Sequence, residues 1–107
     1  MKFSIVESEE SILETAESLV KGERGKNYGH PMVDFSRIAK LWGALKDVHF
    51  TPSDVAKFMI AVKLSRETNR PKKDNRIDIA GYALTLDMIE EFDSNKISFG
   101  EDKNEQF

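Results

Sequence analysis

Three prolines, Pro31, Pro52 and Pro71, divide the middle of this 107-residue chain into stretches of about twenty residues. Proline lacks an amide hydrogen and clashes with the preceding helical turn, so it is tolerated in the first turn of a helix or outside one. Each of the three therefore marks a boundary. Between them apolar residues recur every three or four positions, the period of an amphipathic helix.

Four helices follow from that punctuation. The first spans about Ser8 to Lys21, with Ile12, Leu13, Ala16, Leu19 and Val20 in its stripe, Ser11 and Glu14 as a capping-box pair, and Gly22 as its stop. Residues 22–30 read as a glycine-rich loop that delivers Pro31 to the second helix, whose stripe is Phe35, Ile38, Ala39, Leu41, Trp42 and Leu45. Thr51-Pro52-Ser53-Asp54 is a strong start for the third helix, which carries Val55, Phe58, Met59 and Val62. Asn69-Arg70-Pro71 ends it. The fourth begins near Asp74 and turns Ile77, Ala80, Leu84, Met88 and Ile89 inward until the chain becomes polar beyond Phe92. The expectation is all-α: a compact four-helix bundle-like domain over residues 1–93, with a disordered acidic tail over 94–107.

A chain of this length builds one core, which excludes two catalytic domains. It has no cysteine, hence no disulfide framework and no thiolate-held zinc or iron–sulfur site, which fits the cytoplasm. The apolar patch of Phe3, Ile5 and Val6 is too short for a signal-peptide core, and no run reaches the length needed to cross a bilayer, so no membrane role is expected. The net charge of −3 hides segregation: residues 1–20 sum to −4, residues 21–76 to +7 and residues 77–107 to −6. A basic middle suits a phosphate-bearing ligand, although the acidic ends can also neutralise it internally. Extended nucleic acid is disfavoured, because the balance is acidic and no aromatics interleave with a basic stripe.

Charges also interrupt the apolar stripes. At about 100° per residue, Asp34 falls in the arc of Leu41 and Leu45, Arg66 between Val55 and Met59 with Lys63 at the margin, and Asp74 and Asp78 in line with Gly81 and Thr85. Uncompensated buried charge costs several kcal/mol. These groups therefore form either an internal ion-pair network or one end of an open cleft. In the second case the start of helix two, beside Arg24, Lys26 and His30, is a seat for phosphate. Gly81 leaves room for a flat ring or allows close helix packing. His30 is a phosphate contact or a helix cap, and Tyr28 and Tyr82 are stacking platforms or core. Gly22-Glu-Arg-Gly-Lys-Asn lacks the spacing of a phosphate loop, His49 has no partner in sequence, and no nucleophile–base pair is visible.

Tyr28-Gly29-His30-Pro31, Phe35 with Ile38-Ala39 and Leu41-Trp42, Lys63-x-x-Arg66, and Lys73-Asp74-Asn75-x-x-Asp78-Ile79-Ala80-Gly81-Tyr82 together resemble a small helical domain family encoded by tailed phages and prophages. The match covers about residues 9–90. The Asp74–Tyr82 stretch is also distantly similar to the last motif of the all-α MazG-like nucleotide pyrophosphohydrolases. Those enzymes hold magnesium with a Glu-x-x-Glu pair plus acids from another helix; here Asp74 and Asp78 can supply the second set, but Lys63 and Arg66 stand where the first would be.

Three functions follow, and whether the chain is an enzyme stays open. In the first, a phage-type protein binds a nucleotide or related phosphate-bearing molecule: Lys63, Arg66, Lys72 and Lys73 hold phosphate, while Asp74, Asn75 and Asp78 orient ribose, base or one magnesium ion. It would sequester a nucleotide signal used in host defence or act on host nucleotide metabolism, in the host cytoplasm. The second is a magnesium-dependent nucleotide pyrophosphohydrolase with Asp74 and Asp78 as metal ligands. The third is a non-catalytic module that binds a host protein. A homo-oligomer is expected where four helices leave an apolar face uncovered.

Overall fold

Ser11 opens the structure as a helix cap. The chain is seen here in a computed structural model that describes residues 11–100, with side chains as far as Asp93. Ser11 Oγ accepts from the Glu14 amide and Glu14 Oε1 accepts from the Ser11 amide, both at 3.0 Å, which is the reciprocal box read from the sequence. The expected residues 8–10 of that helix, and 101–107 of the tail, lie outside the described residues.

Helix α1, Ile12–Ser18, does not end at Gly22. It widens into a π-helical segment, Leu19–Arg24, and tightens again as the short α2, Gly25–Tyr28. The predicted 22–30 loop is thus helical as far as Tyr28. A glycine ends a helix only where it adopts a left-handed or extended conformation; Gly22 stays helical, and Gly29 makes the break at φ 77° and ψ −164°. That region is essentially restricted to glycine.

His30 then caps α3, Pro31–Lys46, its Nδ1 accepting from the Met32 amide at 3.0 Å. Pro31 occupies the first helical position, where its missing N–H costs nothing. At the other end Asp47 is left-handed, and the Val48 carbonyl folds back so closely that a Cβ on Gly43 would sit 2.7 Å from its oxygen. Helix α4, Pro52–Asn69, begins with the Thr51–Asp54 capping box. The Thr51 amide, donating to Asp54, holds that carboxyl below its ordinary range. Arg70-Pro71-Lys72 reverses the chain into α5, Lys73–Gly100, which runs past the expected stop at Phe92, so residues 94–100 of the predicted tail are helical backbone. Ser53 Oγ donates to Glu90 at 2.7 Å, fixing the antiparallel register of α4 and α5 at the end far from the turn.

The core lies where α3, α4 and α5 meet: Phe35, Ala39, Val55, Ala56, Tyr82 and Ile89 are buried, with Trp42, Phe50 and Met59 packed against them. Ala16 and Val20 extend it over α5 beside Ile77 and Thr85. Burying a large apolar side chain contributes about 1.5–3 kcal/mol. Not all of the predicted stripe is used. Leu41 and Leu45 are 60% and 81% exposed, and Phe58 is 43% exposed although stacked on Trp42. On the α3 wheel Leu45 stands about 100° and Leu41 about 140° from the Phe35–Ala39 direction, so both turn away from the buried arc. The architecture is all-α among the described residues, with four helical units if α1, the π segment and α2 are taken as one.

Candidate functional site

The turn between α4 and α5 is organised by an acid that helical spacing does not mark as a site residue. Glu67 accepts from the Lys72 amide at 3.0 Å, from Asn75 Nδ2 at 3.2 Å and from the Arg76 guanidinium. The backbone donor, then the side-chain donors, keep its carboxyl below the usual glutamate range. Asn75 is buried, and its amide also donates to the Arg70 carbonyl at 3.4 Å. Both known amide donors are thus directed at the turn. Asn75 was expected to orient a ligand; its side chain instead ties the two helices together.

Beside this knot lies an open hollow of about 600 Å³. From α4 it is lined by Lys63, Ser65, Arg66 and Asn69, and from the turn by Arg70 and Lys72. From α5 come Asp74, Asn75 and Asp78. Lys63 Nζ stands 2.8 Å from Asp78 Oδ2 in a half-buried ion pair. Among the described residues Arg66, Arg70 and Lys72 have no side-chain partner, so three cations face the hollow unneutralised. Arg66 was expected in the middle of the apolar face, yet it is exposed. Its direction around the axis is the expected one, but Arg66 lies three turns beyond Val55, in the last turn of α4.

The other predicted site residues gather elsewhere. Arg24 donates to the Tyr82 hydroxyl at 3.3 Å, and its guanidinium lies 5.2 Å from the Tyr82 ring centre and 6.0 Å from that of Tyr28. Two crevices of about 20 Å³ each flank it, one reaching Gly81 and Asp78, the other Tyr28 and Asp34, with Thr85 on both. Each has space for one water molecule and none for a flat ring. A Cβ on Gly81 would meet Val20 Cγ2 at 3.4 Å, so this glycine serves close helix packing. Asp34 and Arg66 line different hollows; Asp78 alone touches both regions. Lys26 and Lys73 are exposed and line neither, and Lys73 has a partner of its own. His30 spends Nδ1 on its cap and lays its ring 5.4 Å from Phe92, so the expected phosphate seat at α3 is occupied by the cap.

A magnesium ion finds little support in this arrangement. No three His, Asp or Glu side chains gather to hold a metal among the described residues, and the Lys63 ammonium already neutralises Asp78. Neither Glu67 nor Arg70 was legible as a site residue, because their partners are set by the shape of the turn. The one available signal was an acid four residues before a proline that is followed by Asn75 and Arg76.

The fold and its polar cleft define a small all-α domain, without any helix among the described residues long and apolar enough to cross a membrane. The chain belongs to the family described as Domain of unknown function (DUF6378), whose model matches residues 11–90. It is 46% identical over 82 residues to the Gene 55 protein of Mycobacterium phage L5, a match covering 75% of this chain and 53% of that protein. With the Gene 55 protein of Mycobacterium phage D29 it shares 42% identity over 83 residues, 77% of this chain and 55% of the relative. The chain thus spans about half the length of the curated relatives it matches. No solved structure matches it. A phage protein with a helical domain of this family is therefore established; the MazG-like likeness has no counterpart among these matches.

Proposed function

We propose that the α4–α5 hollow binds a phosphate-bearing small molecule of the nucleotide class. The observation that carries this reading is the set of Arg66, Arg70 and Lys72, three cations without side-chain partners among the described residues around one open space that Asp74 shares, with Lys63 held beside them by Asp78. Arginine forks match phosphate oxygens in pairs, and a hollow of this size falls in the range of small-ligand sites. Binding without turnover accounts better for the residues than magnesium-dependent hydrolysis, since the acids are two and one is already paired. In a phage protein such binding would sequester a nucleotide signal or alter host nucleotide metabolism.

Thermal unfolding of the full chain with and without ATP tests it. Saturation near a hundred times Kd stabilises by about 2.7 kcal/mol, a shift of roughly 10–20 °C. The double variant R66E/R70E abolishes the shift while its own Tm moves by no more than about 3 °C, because exposed substitutions usually cost little. Absence of any shift in the parent, with or without magnesium, overturns the proposal. Phosphate release that needs magnesium and disappears in Asp78→Asn would favour the hydrolase instead.

A second reading draws on a different observation. Leu41 and Leu45 stand exposed on α3, and Phe58 is partly uncovered on α4. Such side chains suit self-association or docking on a host protein. If they serve self-association, L41K/L45K lowers the mass measured by sedimentation without changing ATP binding.

A further inference from the structure

We infer that the hollow recognises the phosphate chain of its ligand and leaves the base unread; this deepens the nucleotide-binding reading and rests on it. Among the described residues the hollow has no aromatic side chain in its lining. The two aromatics that the sequence offered as stacking platforms lie elsewhere: Tyr82 is buried with its ring 5.2 Å from the Arg24 guanidinium, and the exposed Tyr28 ring is 6.0 Å from the same group, outside the lining of the hollow. The crevices beside them, at about 20 Å³, hold a water molecule at most. No flat apolar surface therefore adjoins the cations.

The polar groups that could read a base edge are also mostly committed. The Asn75 amide donates to Glu67 and to the Arg70 carbonyl, and Asp78 is paired with Lys63. What remains for a ligand is positive charge, from Arg66 and Arg70 on the last turn of α4 and its end and from Lys72 across the turn. Against these three cations stands one carboxylate: among the described residues Asp74 is the acid of the lining that no neighbour engages, so an excess of positive charge remains. Guanidinium and ammonium groups hold phosphate oxygens whatever base is attached. Stacking on an aromatic side chain would strengthen binding by about five- to 150-fold per base, and that contribution is missing here.

Isothermal titration of the full chain tests this with adenosine, AMP, ADP and ATP, then GTP, CTP and UTP, and finally inorganic tripolyphosphate. Adenosine should not bind. Affinity should rise at least about tenfold from AMP to ATP, the four triphosphates should agree within about threefold, and tripolyphosphate should match ATP within about threefold. Arg70→Gln should weaken all of the phosphate ligands by a similar factor. If ATP binds but one base is preferred by more than about tenfold, or tripolyphosphate is weaker than ATP by more than that, base recognition exists and the inference fails while nucleotide binding stands. If none of the phosphate compounds binds, both fail. A short oligothymidylate binding more than about tenfold tighter than tripolyphosphate would also overturn it, pointing to a nucleic-acid strand.

Discussion

Two polar regions flank Asp78, and they dispose of similar chemistry in opposite ways. Around Arg24 the helices pack closely: the guanidinium donates to the Tyr82 hydroxyl, lies 5.2 Å from that ring centre and 6.0 Å from that of Tyr28, and is flanked by water-sized crevices alone. Around the α4–α5 turn they part, and Arg66, Arg70 and Lys72 face a wide hollow. Residue type does not separate the two cases. Position along the bundle does: the first region lies where α1 and its continuation pack on α5, and the second lies at the end of the α4–α5 hairpin beside its turn. The closely packed region should therefore matter to stability and the open one to binding.

The sharpest test of that division is Tyr82→Ala. The ring is buried among Phe35 and Arg24, with ring centres 6.3 Å apart from Phe35. Truncating a buried aromatic costs about 3–5 kcal/mol, and for a domain this size each kcal/mol moves Tm by about 4–8 °C. Calorimetry should show that loss, whereas ATP affinity measured below the lowered Tm should stay unchanged. A fall in affinity with little loss of stability would reverse the assignment of the two regions.

The knot that shapes the open side comes next. Asn75→Ala removes both hydrogen bonds that this buried amide donates across the turn, to Glu67 and to the Arg70 carbonyl. Chemical denaturation should report a lower midpoint. Here, unlike in Tyr82→Ala, affinity should fall as well, since the turn carries Arg70 and Lys72.

Glu67 gives that same knot a pH signature. Its folded-state carboxyl is held below the unfolded value, first by the Lys72 amide and then by Arg76 and Asn75. The folded state therefore binds fewer protons than the unfolded one as the pH falls through the ordinary glutamate range. The stabilisation is present in full above that range and is lost as the pH drops through the depressed folded value. Glu67→Gln should unfold more easily at neutral pH, and the difference from the parent should shrink as the pH is lowered. A difference that is the same at every pH would show that the charge on Glu67 plays no part.

Much of the fold was legible because helix ends are written in local chemistry. Thr51-Pro52-Ser53-Asp54 and Ser11 with Glu14 cap the helices they announce, and Pro71 ends the one before it. Gly22 misled because a glycine permits a break without requiring one, and the break fell at Gly29. The candidate site was less legible. Helical spacing gives the direction of Arg66 and Asp34 around their axes but not whether a neighbour stands opposite, so two charges aimed at one imagined cleft line separate hollows. Lys63 and Asp78 were both singled out, and the structure pairs them. Their distance depends on the α4–α5 register, which no spacing within one helix determines.

The smallest effect is expected at Thr85, and it probes the closed region most finely. Its side chain is buried at 4% exposure on both crevices, and its hydroxyl has no hydrogen-bond partner among the described residues. A buried hydroxyl costs stability unless something bonds to it, and each crevice has space for one water molecule that Arg24 and an aspartate also reach. Thr85→Val separates the two conditions. If the crevices are dry, valine removes an unsatisfied group and raises stability by a fraction of a kcal/mol up to about 1 kcal/mol. If waters link Thr85 to Arg24, valine removes one of their partners and stability falls by a similar amount, about 1 kcal/mol. The closed region is expected to be wet, because Arg24 between Asp34 and Asp78 makes both crevices polar, so the midpoint of denaturation should drop slightly. A rise would instead mean that the helices seal this seam without solvent, which would make the contrast with the open α4–α5 hollow sharper still.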